Sequence, residues 1–180
     1  SAPTATTMSC SGTKAPGTSS ISSPLSPGQY TDLNIAQGAS VYLTSGTYNF
    51  SSITTNYQSN IYLDISSGND LTVLSCGDIY IDQETAVYVK TTTSGSYVLA
   101  IDATPHSDAA HVYFGTNTNF TTKKYINSSW FGTIYALKTL SVGQNFTLTG
   151  TLATPGTLSI GYNLSVLEYI LANYAKANWK

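Results

Sequence analysis

Gly132 to Asn145 reads GTIYALKTLSVGQN, and Gly150 to Asn163 reads GTLATPGTLSIGYN. Laid over each other with Gly132 on Gly150, the two segments share Gly, Thr, Thr, Leu, Ser, Gly and Asn in register. The pairs Ile134/Leu152 and Val142/Ile160 keep aliphatic side chains of similar size in place. A fixed period of this kind marks stacked repeats, in which each coil buries its inner side chains against the next. Asn and Gly close each segment because a chain wound in flat coils must turn corners, and both tolerate left-handed backbone angles. The expectation is an all-β, single-domain β-solenoid of about 18 residues per coil.

Working outward from the repeat, aliphatic residues alternate from Tyr30 onward. Ala39-Ser-Val-Tyr-Leu-Thr, Asn60-Ile-Tyr-Leu-Asp-Ile, Asp78-Ile-Tyr-Ile-Asp, Ala86-Val-Tyr-Val-Lys and Tyr97-Val-Leu-Ala-Ile all place them at every second position. Bounded by Gly, Asn and Ser, they read as short strands on successive faces, so the solenoid is assigned to residues 30–164. Gly77 and Gly95 repeat the spacing of Gly132 and Gly150. Residues 1–29 are rich in Ser, Thr, Pro and Gly, with Pro16, Pro24 and Pro27, and read as an arm or linker. Ser165-Val-Leu-Glu168 is a capping-box pattern, followed by Val166, Ile170 and Tyr174 at helical spacing beside Leu167 and Leu171. Lys176 and Lys180 suit a helix C-terminus, so residues 165–180 are expected to form a helix covering the last coil.

Of the 180 residues 9% are charged, none is arginine, and the formal net charge is −2. Nucleic acid and acidic membrane surfaces both require clustered Lys and Arg, so neither is an expected partner. Ser and Thr exceed a quarter of the chain and there are 14 tyrosines, a composition suited to the outer faces of strands on a secreted scaffold. No run approaches the roughly 20 apolar residues of a membrane span. No charged-then-apolar export signal opens the chain, so an exported form would be numbered from beyond its signal or anchor. Cys10 and Cys76 are the two cysteines. In an exported protein they pair most simply with each other, pinning the arm with roughly 4 kcal/mol of loop-closure stabilisation; otherwise they are two unrelated thiols.

Four motifs follow one another along the chain: Leu25-Ser-Pro-Gly-Gln-Tyr, Leu43-Thr-Ser-Gly-Thr-Tyr-Asn-Phe, Gly77-Asp-Ile-Tyr-Ile and Trp130-Phe-Gly-Thr-Ile-Tyr-Ala. In this order, over about residues 25–163, the chain resembles the β-solenoid domains of bacterial pilus-assembly proteins, the PilX-like and Tad-type proteins associated with type IV pili. The resemblance implies an exported, right-handed β-helix at the cell surface and a role in adhesion or filament structure without catalysis. The expected partners are then other surface or pilus subunits, or an extracellular surface or glycan. The stretch Phe131 to Asn163 is also similar to the C-terminal coils of microbial ice-binding proteins, which implies an alternative as an ice- or carbohydrate-binding solenoid.

Chemistry-bearing residues are sparse. Asp102, His106, Asp108 and His111 place two carboxylates and two imidazoles close together in sequence, a donor set for zinc or a similar ion; the alternative is a solvated polar loop. Apart from that ion no cofactor is expected. Asp64, Asp70, Asp78, Asp82 and Glu84 can supply an acid pair for a glycan hydrolase, the third reading, although such residues also suit solvated corners. No nucleophile elbow, phosphate loop or Cys/His spacing occurs, and no catalytic residue is assigned. Asn49, Asn119, Asn127, Asn145 and Asn163 open Asn-x-Ser/Thr sequons, of which about three or four would arise by chance at this Ser/Thr content. Asn145 and Asn163 double as corner residues.

What remains is surface. Thr139 and Ser141 are expected to stack over Thr157 and Ser159 as a two-rung hydroxyl ladder, with the intervening leucines inward. Tyr42, Tyr62, Tyr80, Tyr88, Tyr97, Tyr113 and Tyr135 can line an exposed face, and aromatic and hydroxyl ladders bind sugars by stacking and hydrogen bonding. Ile134, Val142, Leu152 and Ile160 are expected inside. The arm before Tyr30 either wraps its own coils or is donated to a neighbouring subunit, giving self-association.

Overall fold

A computed structural model of the chain describes residues 10–103 and 110–167. The described residues form three sheets, and all strand pairings but one are parallel. The seven-stranded sheet holds β1 (Gly28–Gln29), β4 (Gly46–Phe50), β7 (Leu71–Ser75), β11 (Val112–Thr116), β13 (Tyr125–Ala136), β15 (Gln144–Ala153) and β17 (Ser165–Leu167), in that order. The six-stranded sheet runs β2 (Leu33–Ile35), β5 (Ile53–Thr55), β8 (Ile79–Ile81), β12 (Asn119–Thr122), β14 (Thr139–Val142) and β16 (Thr157–Ile160). The four-stranded sheet runs β3 (Ser40–Thr44), β6 (Asn60–Asp64), β9 (Ala86–Lys90) and β10 (Val98–Leu99), with β10 antiparallel to β9. From β1 to β9 the chain visits the three sheets in the same order three times.

Alternation in the sequence explains why these segments are strands. Leu33 and Ile35 are buried around an exposed Asn34, and Val41 and Leu43 are buried around a half-buried Tyr42. Stacked pairings turn such positions into interior columns. Leu33, Ile53, Ile79, Phe120 and Leu140 form one, and Tyr48, Val73, Phe114 and Ile134 another. Each fully buried aliphatic or aromatic side chain contributes about 1.5–3 kcal/mol relative to exposure.

The offset read from the repeat is the register of the last strands. Ile134 pairs with Leu152, Gly132 with Gly150, Thr139 with Thr157 and Val142 with Ile160. It is not the period of the whole chain. Phe114 pairs with Ile134, Tyr48 with Val73 and Val73 with Phe114, so the circuits differ in length and the one from β7 to β11 is the longest. That excursion carries β10 and a 3-10 turn at Ala100–Asp102. Pairing demands a constant register along strands, whereas a corner absorbs extra residues because loop closure costs grow slowly with length. Gly95 sits in a turn with its N–H on the Thr92 carbonyl, while Gly77 donates to the Ser51 carbonyl, so their spacing is coincidental.

One corner recurs with the same backbone geometry across the circuits. Gly38, Gln58, Glu84, Asn127, Asn145 and Asn163 all have left-handed φ, between 44° and 70°. The N–H of Gly38 reaches the Tyr57 carbonyl, that of Gln58 reaches Gln83, Glu84 reaches Ile126, and Asn145 reaches Tyr162. The last three residues add a side-chain ladder: Asn145 Nδ2 donates to Asn127 Oδ1 at 2.8 Å, and Asn163 Nδ2 to Asn145 Oδ1 at 3.0 Å. Asn is well suited here because its short amide tolerates the left-handed region and bonds locally.

Two expectations are corrected. Ser165–Leu167 is a strand, pairing with Thr147–Thr149 of β15, so no helix starts at Ser165. After the Asn163 corner the chain repeats the path taken after Asn145, and the free edge of β15 offers backbone partners that an isolated capping box cannot match. Residues 168–180, the remainder of the expected helix, lie outside the described residues. Secondly, Ile134 and Val142 are buried and Leu152 packs partly against the core, but Ile160 is 46% exposed, since no described strand follows β16 in its sheet. Within the stretch read as an arm, Gly28–Gln29 form β1 and Leu25 is buried and bridged to Leu43.

The described part of the arm packs on its own chain. Cys10 and Cys76 form a disulfide, the Lys14 carbonyl accepts the Thr31 N–H, and Ser19 Oγ accepts the Tyr42 N–H. No helix among the described residues is long and apolar enough to cross a membrane.

Candidate functional site

The outer face of the six-stranded sheet carries two parallel columns of polar side chains. Asn119, Thr139 and Thr157 are in register, as are Thr121, Ser141 and Ser159, with Phe120 and Leu140 buried between them. The hydroxyl ladder read at two rungs therefore has a third. Sequence comparison missed it because the step from Asn119 to Thr139 is longer than that from Thr139 to Thr157, and β12 carries Asn in place of Thr. Leu158, on the last rung, is 51% exposed, so the expected inward packing fails there for the same reason as at Ile160.

Toward β2 the same columns change chemistry. Thr121 neighbours Tyr80, Tyr80 neighbours Thr54, and Thr54 neighbours Asn34. Asp78 Oδ1 gathers the Thr118 hydroxyl at 2.7 Å and both the backbone and side-chain N–H of Asn119 at 3.2 Å. Beyond the strand ends lies a groove lined by Asn34, Gln37, Asn56, Tyr57 and Asp82. Asn56 Nδ2 donates to Asn34 Oδ1 and to the Ile35 carbonyl, both at 2.8 Å. The Glu84 carboxylate beside the Tyr57 phenol, together with slight desolvation, raises the phenol's pKa. Asp82 accepts the Gln83 N–H and lies 3.3 Å from Lys123 Nζ.

The seven tyrosines expected on one face are divided among three. Tyr42, Tyr62 and Tyr88 occupy paired positions on β3, β6 and β9 and stack at 4.5 and 4.8 Å between ring centroids. Tyr97 meets Tyr62 edge-on at 5.2 Å, and burial, then the Asp64 charge, pushes its pKa up to about 12. Burial first, then neighbouring Tyr42 and Tyr88, raises Tyr62 as well. Rings stacked on one another spend their faces internally, so this column offers mainly edges and hydroxyls. Tyr113 and Tyr135 belong to the seven-stranded sheet, and Tyr80 to the six-stranded one. Strand identity was legible from the sequence; which sheet each strand joined was not.

Of the proposed metal donors, His106 and Asp108 lie outside the described residues. Asp102 is exposed on its 3-10 turn. His111 turns instead to Asp70, whose Oδ1 accepts its backbone N–H at 3.0 Å and stands 3.7 Å from Nδ1. Among the described residues no three His, Cys, Asp or Glu side chains group as metal ligands. Four of the carboxylates considered for an acid pair serve local structure: Asp64 accepts the Ser66 N–H and hydroxyl, Asp70 holds His111, Asp78 holds Asn119, and Asp82 pairs with Lys123; Glu84 stands beside the Tyr57 phenol. Of the sequon residues, Asn49 is buried, Asn119 is bonded to Asp78, and the other three form the corner ladder.

No family model, no curated protein and no solved structure matches this chain.

Proposed function

We propose that this chain is a β-solenoid module that acts by contact at the outside of a cell, displayed on a pilus or other surface structure. The observation that carries the reading is the winding of parallel strands through three sheets, with like positions stacked from circuit to circuit. Such a stack makes broad, rigid faces of regular spacing, suited to binding a surface or a repeated partner. The Cys10–Cys76 disulfide supports export, since disulfides persist in oxidising compartments. Residues 10–24 are engaged on the chain's own strands, which favours a displayed module over a filament joined by exchanged arms.

The test is made in the source organism. Externally added protease or antibody should reach the protein on intact cells, and deleting it should lower attachment without loss of a measured hydrolytic activity. Confinement to the cytoplasm with reduced cysteines would sink the proposal. A second reading, ice binding, draws on the third rung of polar side chains beside β14 and β16. The face is interrupted by Tyr80, so no thermal hysteresis is expected at micromolar protein; clear hysteresis lost in Thr139→Tyr would promote this reading.

A further inference from the structure

We infer that the groove at the ends of β2, β5 and β8, with Tyr57 on its wall and Tyr80 on the adjoining sheet face, is a binding site for a segment of neutral oligosaccharide. The inference rests on the contact-module reading and specifies its ligand. Sugar sites combine exposed ring faces with a few fixed groups that both donate and accept hydrogen bonds. Tyr57 and Tyr80 are 36% and 37% exposed, whereas the rings of the Tyr42–Tyr62–Tyr88 column cover one another. Asn34, Gln37 and Asn56 line the groove next to Tyr57, and amides can meet a sugar hydroxyl as donor or acceptor.

The site is held in place before any ligand arrives. Tyr57 is held through its carbonyl by the Gly38 N–H, and its phenol stands beside the Glu84 carboxylate. Glu84 is itself anchored at the left-handed corner by its N–H on the Ile126 carbonyl. The Asn56–Asn34 and Asn56–Ile35 bonds orient both amides, and β8 fixes Tyr80 opposite Thr54. Such preorganisation lowers the entropy lost on binding. The ligand's charge follows from the surroundings. Asp82 lines the groove, its neighbour Lys123 is engaged with it, and the chain has no arginine. With Lys123 already engaged by Asp82, no cation among the described lining residues is left to attract an anionic glycan, whereas a neutral one needs none.

The full disulfide-bonded chain would be titrated with maltohexaose, cellohexaose and chitohexaose as neutral probes, and with an oligogalacturonate as the anionic one, following tyrosine-ring and amide NMR signals. The expected result is saturable shifts centred on Tyr57, Tyr80, Asn34 and Asn56 for at least one neutral probe, with a Kd on the order of 1 mM or tighter. Tyr57→Ala and Tyr80→Ala should each weaken binding by about tenfold or more, while Tyr57→Phe retains most of it. Tyr80→Ala changes an outward strand position and serves alone if Tyr57→Ala disturbs the corner. The inference is overturned if no neutral probe gives saturable shifts, if they centre on Thr139 and Ser141, if Tyr80→Ala binds as the parent does, or if oligogalacturonate binds as tightly. Any of these outcomes leaves surface display untouched. Glycan binding by a protein confined to the cytoplasm would instead fault the display reading alone.

Discussion

The circuits around β6 and β8 and the last described circuit, β15 to β17, differ in a way the repeat does not advertise. The earlier circuits are irregular in length, as the pairings of Tyr48 with Val73 and of Val73 with Phe114 show, yet Leu63, Ile65, Leu71 and Ile79 are fully buried. Past a register shift beside Tyr125, the last circuit repeats its predecessor at one constant offset, yet Leu158, Ile160 and Val166 stand about half exposed. Regular sequence secures register, but burial requires a neighbour on both sides. A strand with a rung above and below loses most of its apolar surface to water exclusion; one at the end loses only part.

The sharpest way to break the comparison is to put a carboxylate into each region. Leu63→Asp should prevent cooperative folding, because a buried charge there has no partner, while Ile160→Asp should shift the urea midpoint only slightly. Equal effects would mean that the last circuit is as closed as the middle.

Reduction of the Cys10–Cys76 disulfide comes next. Its cysteines are 66 residues apart and it ties the arm to the strand edge after β7, so reducing it should cost about 4 kcal/mol by the chain-entropy model. The loss should appear as earlier hydrogen exchange in the circuits before β8, with the β13–β15 amides less affected. A uniform change would show that the circuits melt as one unit.

At the corner, Asn145→Ala removes a residue bonded on both sides, and should cost on the order of 1–2 kcal/mol from two lost hydrogen bonds and the left-handed backbone. Asn163→Ala breaks one of those bonds at an equally left-handed residue and should cost less than Asn145→Ala in thermal unfolding. Reversal of that order would place the weak point at the outer corner.

The smallest effect concerns pH. Tyr97, an acid group that is neutral at low pH, has its pKa raised from 10.0 to about 12 by burial and Asp64. Its contribution is fully present below pH 10 and is lost as pH rises from 10 through about 12, where the folded state must also ionise. A stability profile over that window should flatten in Tyr97→Phe. An unchanged slope would assign the alkaline loss to Tyr62, whose pKa is also raised, or to Tyr30 and Tyr48, raised by burial.

The candidate surface was legible in part. The rung Thr139–Ser141 over Thr157–Ser159 could be read directly because identical residues recur at one offset. The Tyr57 groove could not, since Asn34, Asn56 and Asp82 come from three successive circuits with no shared motif. Nor could the Ser165 strand, because Ser165-Val-Leu-Glu168 satisfies a capping box while Leu164 and Val166 on either side of Ser165 fit strand alternation.

By itself, the sequence determined that the chain is β-structured, that its last strands stack in the register of the terminal repeat, and that Asn and Gly turn its corners. These depend on local alternation and on backbone angles available to single residues, and both are written within a few positions. Only the tertiary structure decided which strands share a sheet, which tyrosines cover one another, and which described strands have a neighbour on one side alone. Those outcomes depend on how many residues each corner absorbs before register resumes. Loop closure is nearly indifferent to that number, so the pattern of side chains along the strands carries no record of it.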